Sequence, residues 1–313
     1  MLGGRTIGVV IPARNEEDFI GRVLTTLPEF VDRVVVVDDG STDGTKAIVE
    51  SIDTDYHLTV LSINGQGVGA AIDTGHQRML QTCTKPFISV VVAGDGQMNP
   101  NDMTQLIAPI LQGKADHVKG NRFSHHKGLQ AMPRHRKVAS RILSLFTSLA
   151  SGQSIIDPQC GYTATDSSVL EQWDWERSWK GYGYPNYWLV HLSKLGFRIA
   201  HVPVESVYGA EHSGIKRLPF FIKVGSMLAI EHHRRNLKWL LSFQVTPHTL
   251  FAFIAYFIGW VALLPNVSTD LERELVLRGM SPVVLTLGAW AVAHVFDRAA
   301  TRTVQELRMN AKT

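Results

Sequence analysis

Cysteine is scarce in this 313-residue chain, which holds only Cys83 and Cys160. Two thiols cannot build a disulfide framework and fit a reducing compartment. A strong excess of charge is missing too. The formal net charge is +3, with 31 basic and 28 acidic residues, so composition makes no case for a nucleic-acid partner and none is expected. No secretory leader is expected at the start, because Arg14, Glu16, Glu17 and Asp18 fall where an apolar core would be needed. Near the other end, charge disappears over long runs. There is no Lys, Arg, Asp or Glu from Trp239 to Thr269, and none between Arg278 and Asp297.

Those two runs approach the length of about 20 apolar residues that a helix needs to cross a bilayer core. Two buried core helices are the alternative. A short polar loop joining two such runs at the end of a chain favours a transmembrane helical hairpin over 244–300, with a tail over 301–313. The basic stretch "HHRRNLK" (232–238) precedes the first run, and Arg298, Arg302 and Arg308 follow the second. By the positive-inside bias, this is expected to be an integral membrane protein whose large N-terminal region and tail face the cytoplasm. Between them, 217–243 alternates apolar and basic blocks and reads as one or two interfacial amphipathic helices.

The first 216 residues alternate strand and helix. "TIGVVIPA" (6–13), "RVVVVDDGST" (33–42), "HLTVLSI" (57–63) and "PFISVVVAG" (86–94) read as strands, with helices at 16–27, after Asp43-Gly44 and to about Leu80. The pattern predicts an α/β domain with a mostly parallel, Rossmann-like sheet and ligands at the carboxyl ends of its strands. Arg14-Asn15-Glu16, Asp38-Asp39, Asn64-Gly65 and Asp95-Gly96-Gln97 occupy those ends. "GQGVG" (65–69) is not the dinucleotide fingerprint, because position 70 is Ala70 and the loop follows the third strand. Its glycines are expected to let a helix start approach a ligand's phosphates.

The fourth strand stops on Asp95. Divalent ions at such edges commonly have carboxylates spaced D-x-D, and here the first position is Ala93. Asp95 is therefore either part of a metal site or a turn residue before glycine.

"VVIPARNEE", "VVVVDDGSTDGT", "NGQGVGAAI" and "AGDGQMNPND" come in the order and spacing of the family 2 glycosyltransferases. Within that family the chain resembles the polyprenyl-phosphate sugar synthases over residues 6 to about 216. "KGNRF", "RKVASR" and "DPQCGYTA" strengthen the likeness. The resemblance implies a GT-A fold, a nucleotide-sugar donor such as GDP-mannose or UDP-glucose, a polyprenyl-phosphate acceptor and a divalent cation, Mg2+ or Mn2+. Carried over by motif, the donor pocket would use Pro12, Arg14, Glu16, Val37, Asp39, Gly94, Asp95, Gln97, Arg122 and Lys216. Asp95 and Gln97 would meet the metal, Arg122 the diphosphate, and Arg136 and Ser140 the acceptor phosphate. Asp157 would lie near the reacting centre as an orienting group. Bland alternatives stand beside several of these. Asp38 and Asp39 suit helix-cap chemistry, Asp157 before Pro158 suits a turn, Arg136 and Ser140 suit a solvated helix face, and Lys216 suits a juxtamembrane basic cluster. The reaction implied is inverting hexosyl transfer to the lipid phosphate. A catalytically dead nucleotide-sugar-binding membrane protein is the rival reading, because of Ala93. A processive polysaccharide synthase ranks lower, since "QWDWERSW" lacks the Q-x-x-R-W spacing. A homo-oligomer is compatible with all of these.

Overall fold

A computed structural model describes residues 1–124, 134–205, 217–241, 247–264, 273–274 and 281–311. The strands are β1 (Thr6–Ala13), β2 (Arg33–Asp38), β3 (His57–Ser62), β4 (Phe87–Val91), β5 (His117–Asn121), β6 (Thr163–Asp166) and β7 (Ile199–Pro203). They form one sheet in the order β3-β2-β1-β4-β6-β5-β7. β1 pairs in parallel with both β2 and β4, and β6 runs antiparallel between β4 and β5. The mostly parallel α/β architecture expected from the alternation is present.

Side-chain alternation along the strands splits the core into two layers. Ile7, Val9 and Ile11 of β1 join Val34 and Val36 of β2 on one face. That face is covered by α1 (Ile20–Thr25), α2 (Thr45–Ser51) and α4 (Met103–Leu111). Val10, Val35 and Val37 point to the other face, beneath α3 (Val68–Thr82), α5 (Arg134–Ser151) and α7 (Tyr184–Lys194). A short helix, α6 (Ser167–Leu170), follows β6 and is capped by Asp166, whose side chain accepts from the Ser168 N–H.

The C-terminal region holds three longer helices, α8 (Arg217–Leu241), α9 (Pro247–Ala262) and α10 (Pro282–Asn310). The stretch expected as one or two interfacial helices is one continuous helix over its described residues. Glu231, His232, Arg235 and Asn236 are turned inward and buried, while Ile222, Ile230, Leu237 and Leu241 are exposed. Part of the basic cluster at 232–238 therefore faces protein rather than headgroups.

α9 and α10 pack antiparallel, since Thr286 donates to the Gly259 carbonyl and Tyr256 meets His294, while Phe251 meets Phe296. Their contact uses small residues such as Ala252, Ala255 and Ala293, whereas Phe257, Trp260, Leu287 and Val295 point outward. Small residues inside and large apolar ones outside is the pattern of helices that pack in lipid. Among the described residues, α10 is the one helix long and apolar enough to cross a membrane; α9 is shorter, at 16 residues. A further apolar stripe lies on α5, where Val138, Ile142, Leu145 and Phe146 are exposed on one face.

Residues 301–310, expected as a separate tail, continue α10 and dock on the α/β domain. Arg308 donates to the Leu195 carbonyl and to Gln172, at 2.9 Å each, and its guanidinium lies 3.6 Å from the centre of the Phe197 ring. Gln305 donates to the Phe197 carbonyl. Arg308→Ala is expected to weaken this docking by about 1–2 kcal/mol. Limited proteolysis of the full chain should then clip the last turns of α10 faster than in the wild type, and an unchanged rate would contradict the contact.

Candidate active site

The loops at the carboxyl edge of the sheet are interlocked before any ligand is considered. Asn15 adopts a left-handed conformation, tolerated by its short polar side chain. Its N–H donates to Ser41 Oγ, and its side-chain oxygen accepts from the Thr42 N–H at 2.8 Å. The Glu16 N–H donates to Thr45 Oγ1 at 2.7 Å, and the Gly44 N–H donates to Glu17. "ARNEE" and "GSTDGT" are therefore one structural unit made of two loops. Asp39 joins it to a third, accepting from the N–H groups of Gln66 and Gly67 at 2.7 and 2.8 Å. Asp38, by contrast, accepts from the Ser41 N–H within its own turn.

The start of α3 is not open to a phosphate, which corrects that expectation. The Lys180 carbonyl accepts from the N–H groups of Gly69 and Ala70. A Cβ on Gly69 would stand 2.3 Å from the Trp179 carbonyl oxygen and 2.8 Å from that of Lys180. The glycines of "GQGVG" thus admit another stretch of backbone, residues 179–181, rather than a ligand. That stretch is held from the side as well, because the Lys180 ammonium pairs with the buried Asp73 at 2.9 Å.

A cavity of about 240 Å³ opens beside this loop at the ends of β1, β4, β5 and β7. Pro12, Asp95, Gln97 and Arg122 of the expected residues line it, together with Ala93. Gly94 sits behind the wall, its N–H bound to the Pro12 carbonyl. The Gln97 N–H donates to Asp95 Oδ1, which holds the carboxylate across the tight turn at Gly96. Arg14 is exposed on the adjoining loop, and Glu16 and Asp39 lie on the same edge. Val37 is not a cavity residue, because its side chain is fully buried in the layer beneath α3. Ser140 is buried on α5; the side chain of Arg136, one turn earlier on that helix, and the whole of Lys216 lie outside the described residues.

Arg122 and Asp157 form the electrostatic centre. Arg122 Nε donates to Asp157 Oδ2 at 2.8 Å and its Nη2 donates to Oδ1 at 2.9 Å, a bidentate pair; the Arg122 N–H adds a third bond. Asp157 is completely buried. Burial alone would raise its pKa, but the charge and hydrogen bonds of Arg122 outweigh that and hold the carboxyl below the usual range. Asp157 therefore orients Arg122 at the cavity wall. Beneath them Lys119 is buried and donates to the Cys160 carbonyl at 2.7 Å, and burial lowers its pKa to about 8.

Several lining residues were not singled out from the sequence. Glu205, at the end of β7, lines the cavity and accepts from the Asn99 side chain at 2.9 Å. Its signal was available, since "HVPVE" is another apolar strand ending on a carboxylate. Tyr182 and Tyr184 come from "GYGYP", which reads only as a loop. Gln159 also lines the cavity and connects it, through Asn186 and Thr147, to the main chain of α5 at Leu143.

Asp95, Gln97 and Glu205 offer hard oxygen donors suited to Mg2+ or Mn2+. Ala93 presents a methyl group instead of a carboxylate, and no group of three or more His, Cys, Asp or Glu able to hold a metal occurs among the described residues. The donor set fits an ion that completes its shell with ligand phosphates and water.

Residues 8–173, more than half of the chain, match Glycosyl transferase family 2. The chain is similar to glycosyltransferase AglJ of Haloferax volcanii, 30% identical over 285 residues, covering 90% of this chain and 86% of that one. It is 28% identical to the UDP-N-acetylglucosamine–dolichyl-phosphate N-acetylglucosaminyltransferase of Methanococcus voltae, covering 66% and 88% of the two chains. Polyprenol monophosphomannose synthase of Mycolicibacterium smegmatis is 28% identical, with 63% and 75% covered. In fold, the chain resembles glucosyl-3-phosphoglycerate synthase from Mycobacterium tuberculosis, solved with Mn2+, UDP and phosphoglyceric acid. There the TM-score is 0.53 at 22% identity, over 74% of this chain and 78% of that one.

Removing Arg122 would leave a buried carboxylate without its partner, at a cost of about 3–5 kcal/mol. Arg122→Ala is expected to be strongly destabilised in denaturant titrations, and Arg122→Ala with Asp157→Ala to recover much of that loss without recovering activity. Equal instability of the single and double variants would contradict the pairing.

Proposed function

The chain is a glycosyltransferase of family 2, and from that premise we propose that it transfers a hexosyl unit from a nucleotide sugar to a polyprenyl phosphate with inversion. The observation that carries the reading is the position of the cavity. Asp95, Gln97 and the Arg122–Asp157 pair lie at the sheet edge, linked through Gln159 and Asn186 to α5, the helix whose exposed stripe is apolar. An apolar groove of about 400 Å³ runs between α5, α8, α9 and α10, lined by Phe146, Leu149, Leu228, Tyr256 and Trp290. It suits a prenyl segment, while Arg136 and Ser140 on α5 receive the phosphate. The two apolar helices anchor the protein in the membrane as a hairpin, with the catalytic domain on the cytoplasmic side.

The acceptor phosphate has a second pKa near ~6 and is largely dianionic at neutral pH. One of its oxygens forms the new bond to the anomeric carbon as the bond to the nucleoside diphosphate breaks, and the diphosphate leaves with the electron pair. No strong general base is required, which agrees with Asp157 being committed to Arg122. The task of the protein is to bring two anions together and stabilise the leaving group. Arg122, fixed by Asp157, and Lys216 supply positive charge; Asp39 and Arg14 hold the nucleotide. Asp95 and Gln97 would hold a Mg2+ or Mn2+ ion, which when bound neutralises diphosphate charge.

Membranes containing the full chain, given labelled GDP-mannose, UDP-glucose and UDP-N-acetylglucosamine in turn, are expected to move label from one of them into the organic phase. Donor binding without lipid label would favour the inactive sugar-nucleotide binder instead. Asp95→Asn is expected to reduce transfer by orders of magnitude and to weaken Mn2+ binding measured in the presence of the nucleoside diphosphate. Full activity in excess EDTA would remove the metal from this scheme. Arg136→Ala is expected to raise the acceptor KM by the equivalent of about 1.5–3 kcal/mol, the loss of one charge-assisted bond, with donor affinity unchanged. The opposite pattern would move Arg136 to the donor side.

A further inference from the structure

Among the described residues, the largest fully buried side chain is Arg235, on α8. Its Nη2 donates to both carboxylate oxygens of Asp297 on α10, at 2.6 Å to Oδ1, and its Nη1 donates to the Ser151 carbonyl at the end of α5. Both charged side chains are 0% exposed. The guanidinium also lies 4.8 Å from the centre of the Trp239 ring. Next in the chain, Gly152 has a φ of +69°, and a Cβ there would stand 2.3 Å from Thr301 Oγ1, 2.9 Å from Arg235 Nη1 and 3.1 Å from Asp297 Oδ2. The backbone turn after α5 is therefore shaped around the ion pair.

Three elements with different duties meet at this point. α5 carries Ser140 and Arg136, α8 carries the inward polar face, and α10 is the apolar helix that continues into the domain-docked segment. Removing two charges from water is costly, so a buried pair adds little net stability, while leaving either charge without its partner is strongly unfavourable. A slip of α10 by one turn, about 5.4 Å, would leave both charges buried and unpaired. Ser140 lies on α5, roughly 16 Å from Ser151 at about 1.5 Å per residue. With the pair made, the height of α10 relative to α5 has one permitted value.

We propose that Arg235 and Asp297, seated on Gly152, are positioning residues that set the depth of the catalytic cavity relative to the membrane, so that a bilayer-held phosphate reaches α5. The inference rests on the reading of a lipid-phosphate acceptor. Fixing two sites at a matched separation raises the effective concentration of one at the other, and a loosened link lowers it without changing any contact in the cavity.

Replacing a buried ion pair by apolar residues of similar volume commonly preserves folding, so Arg235→Met with Asp297→Leu separates position from stability. In the full chain reconstituted in vesicles, this double variant is expected to bind the nucleoside diphosphate as the wild type does. Its kcat and KM with a short, water-soluble prenyl phosphate should also be unchanged. With a long-chain polyprenyl phosphate in the bilayer its KM should rise about tenfold or more. A spin label at exposed Val295 should report one immersion depth in the wild-type background and a broadened distribution in the double variant. An unchanged KM for the bilayer acceptor, an unchanged depth, or equal loss with both acceptors would overturn the proposal. Should the double variant fail to fold, Asp297→Asn carries the same two readouts under the same criteria. A wild-type enzyme inactive with both acceptors would refute the lipid-phosphate reading instead, and the depth measurement would still decide the clamp.

Discussion

Parallel pairing of β1 with both β2 and β4 is the constraint on which the rest of this structure depends. It brings the ends of three strands to one edge, so that "PARNEE", "DDGSTDGT" and "AGDGQ" share a small region. Loops that crowd together lose water, and their backbone groups need partners from one another. That need explains why Asp39 accepts from Gln66 and Gly67, why Thr45 accepts from Glu16, and why the Lys180 carbonyl closes the start of α3. The edge is largely preorganised, and the cavity lined by Asp95 opens beside it.

Buried charge recurs where separate elements must keep one geometry. Arg122 with Asp157 ties the end of β5 to the segment before β6, Lys180 with Asp73 ties a loop to α3, and Arg235 with Asp297 ties α8 to α10. In each case at least one partner is almost wholly buried, so either charge alone would be costly. The first pair holds a cation at the cavity wall, the second holds residues 179–181 against α3, and the third locks α8 and α10 to the end of α5. The same physical device thus fixes a cavity wall, a loop and a helix junction.

Much of the architecture was legible because it follows from periodicity. Strands of β-branched residues ending on polar turns and helices with Ile20, Val23 and Leu24 on one face have few alternatives, and the two uncharged runs form a packed helical pair. The inward polar face of α8 is not legible locally, because a run of basic residues ordinarily faces water or lipid headgroups. Its inward turn depends on Asp297, some sixty positions away. Glu205 had the same local signal as Asp95, a carboxylate closing an apolar strand, but its place in the same cavity depends on β7 pairing with β5.

By itself, the sequence determined the α/β class, the family, and that Asp95, Gln97 and Arg122 meet at the carboxyl edge of the sheet, where they line one cavity. These follow from residue type and short spacing, which act within a turn or two of chain. Only the tertiary structure decided that "GQGVG" admits residues 179–181 instead of a phosphate and that Val37 is core. It also decided that Asp157 is held by Arg122 and that Arg235 is neutralised by Asp297. Each of these depends on which distant group arrives to satisfy a buried donor, acceptor or charge. That choice is made by packing of the whole chain, because a local pattern specifies the need for a partner and not its identity.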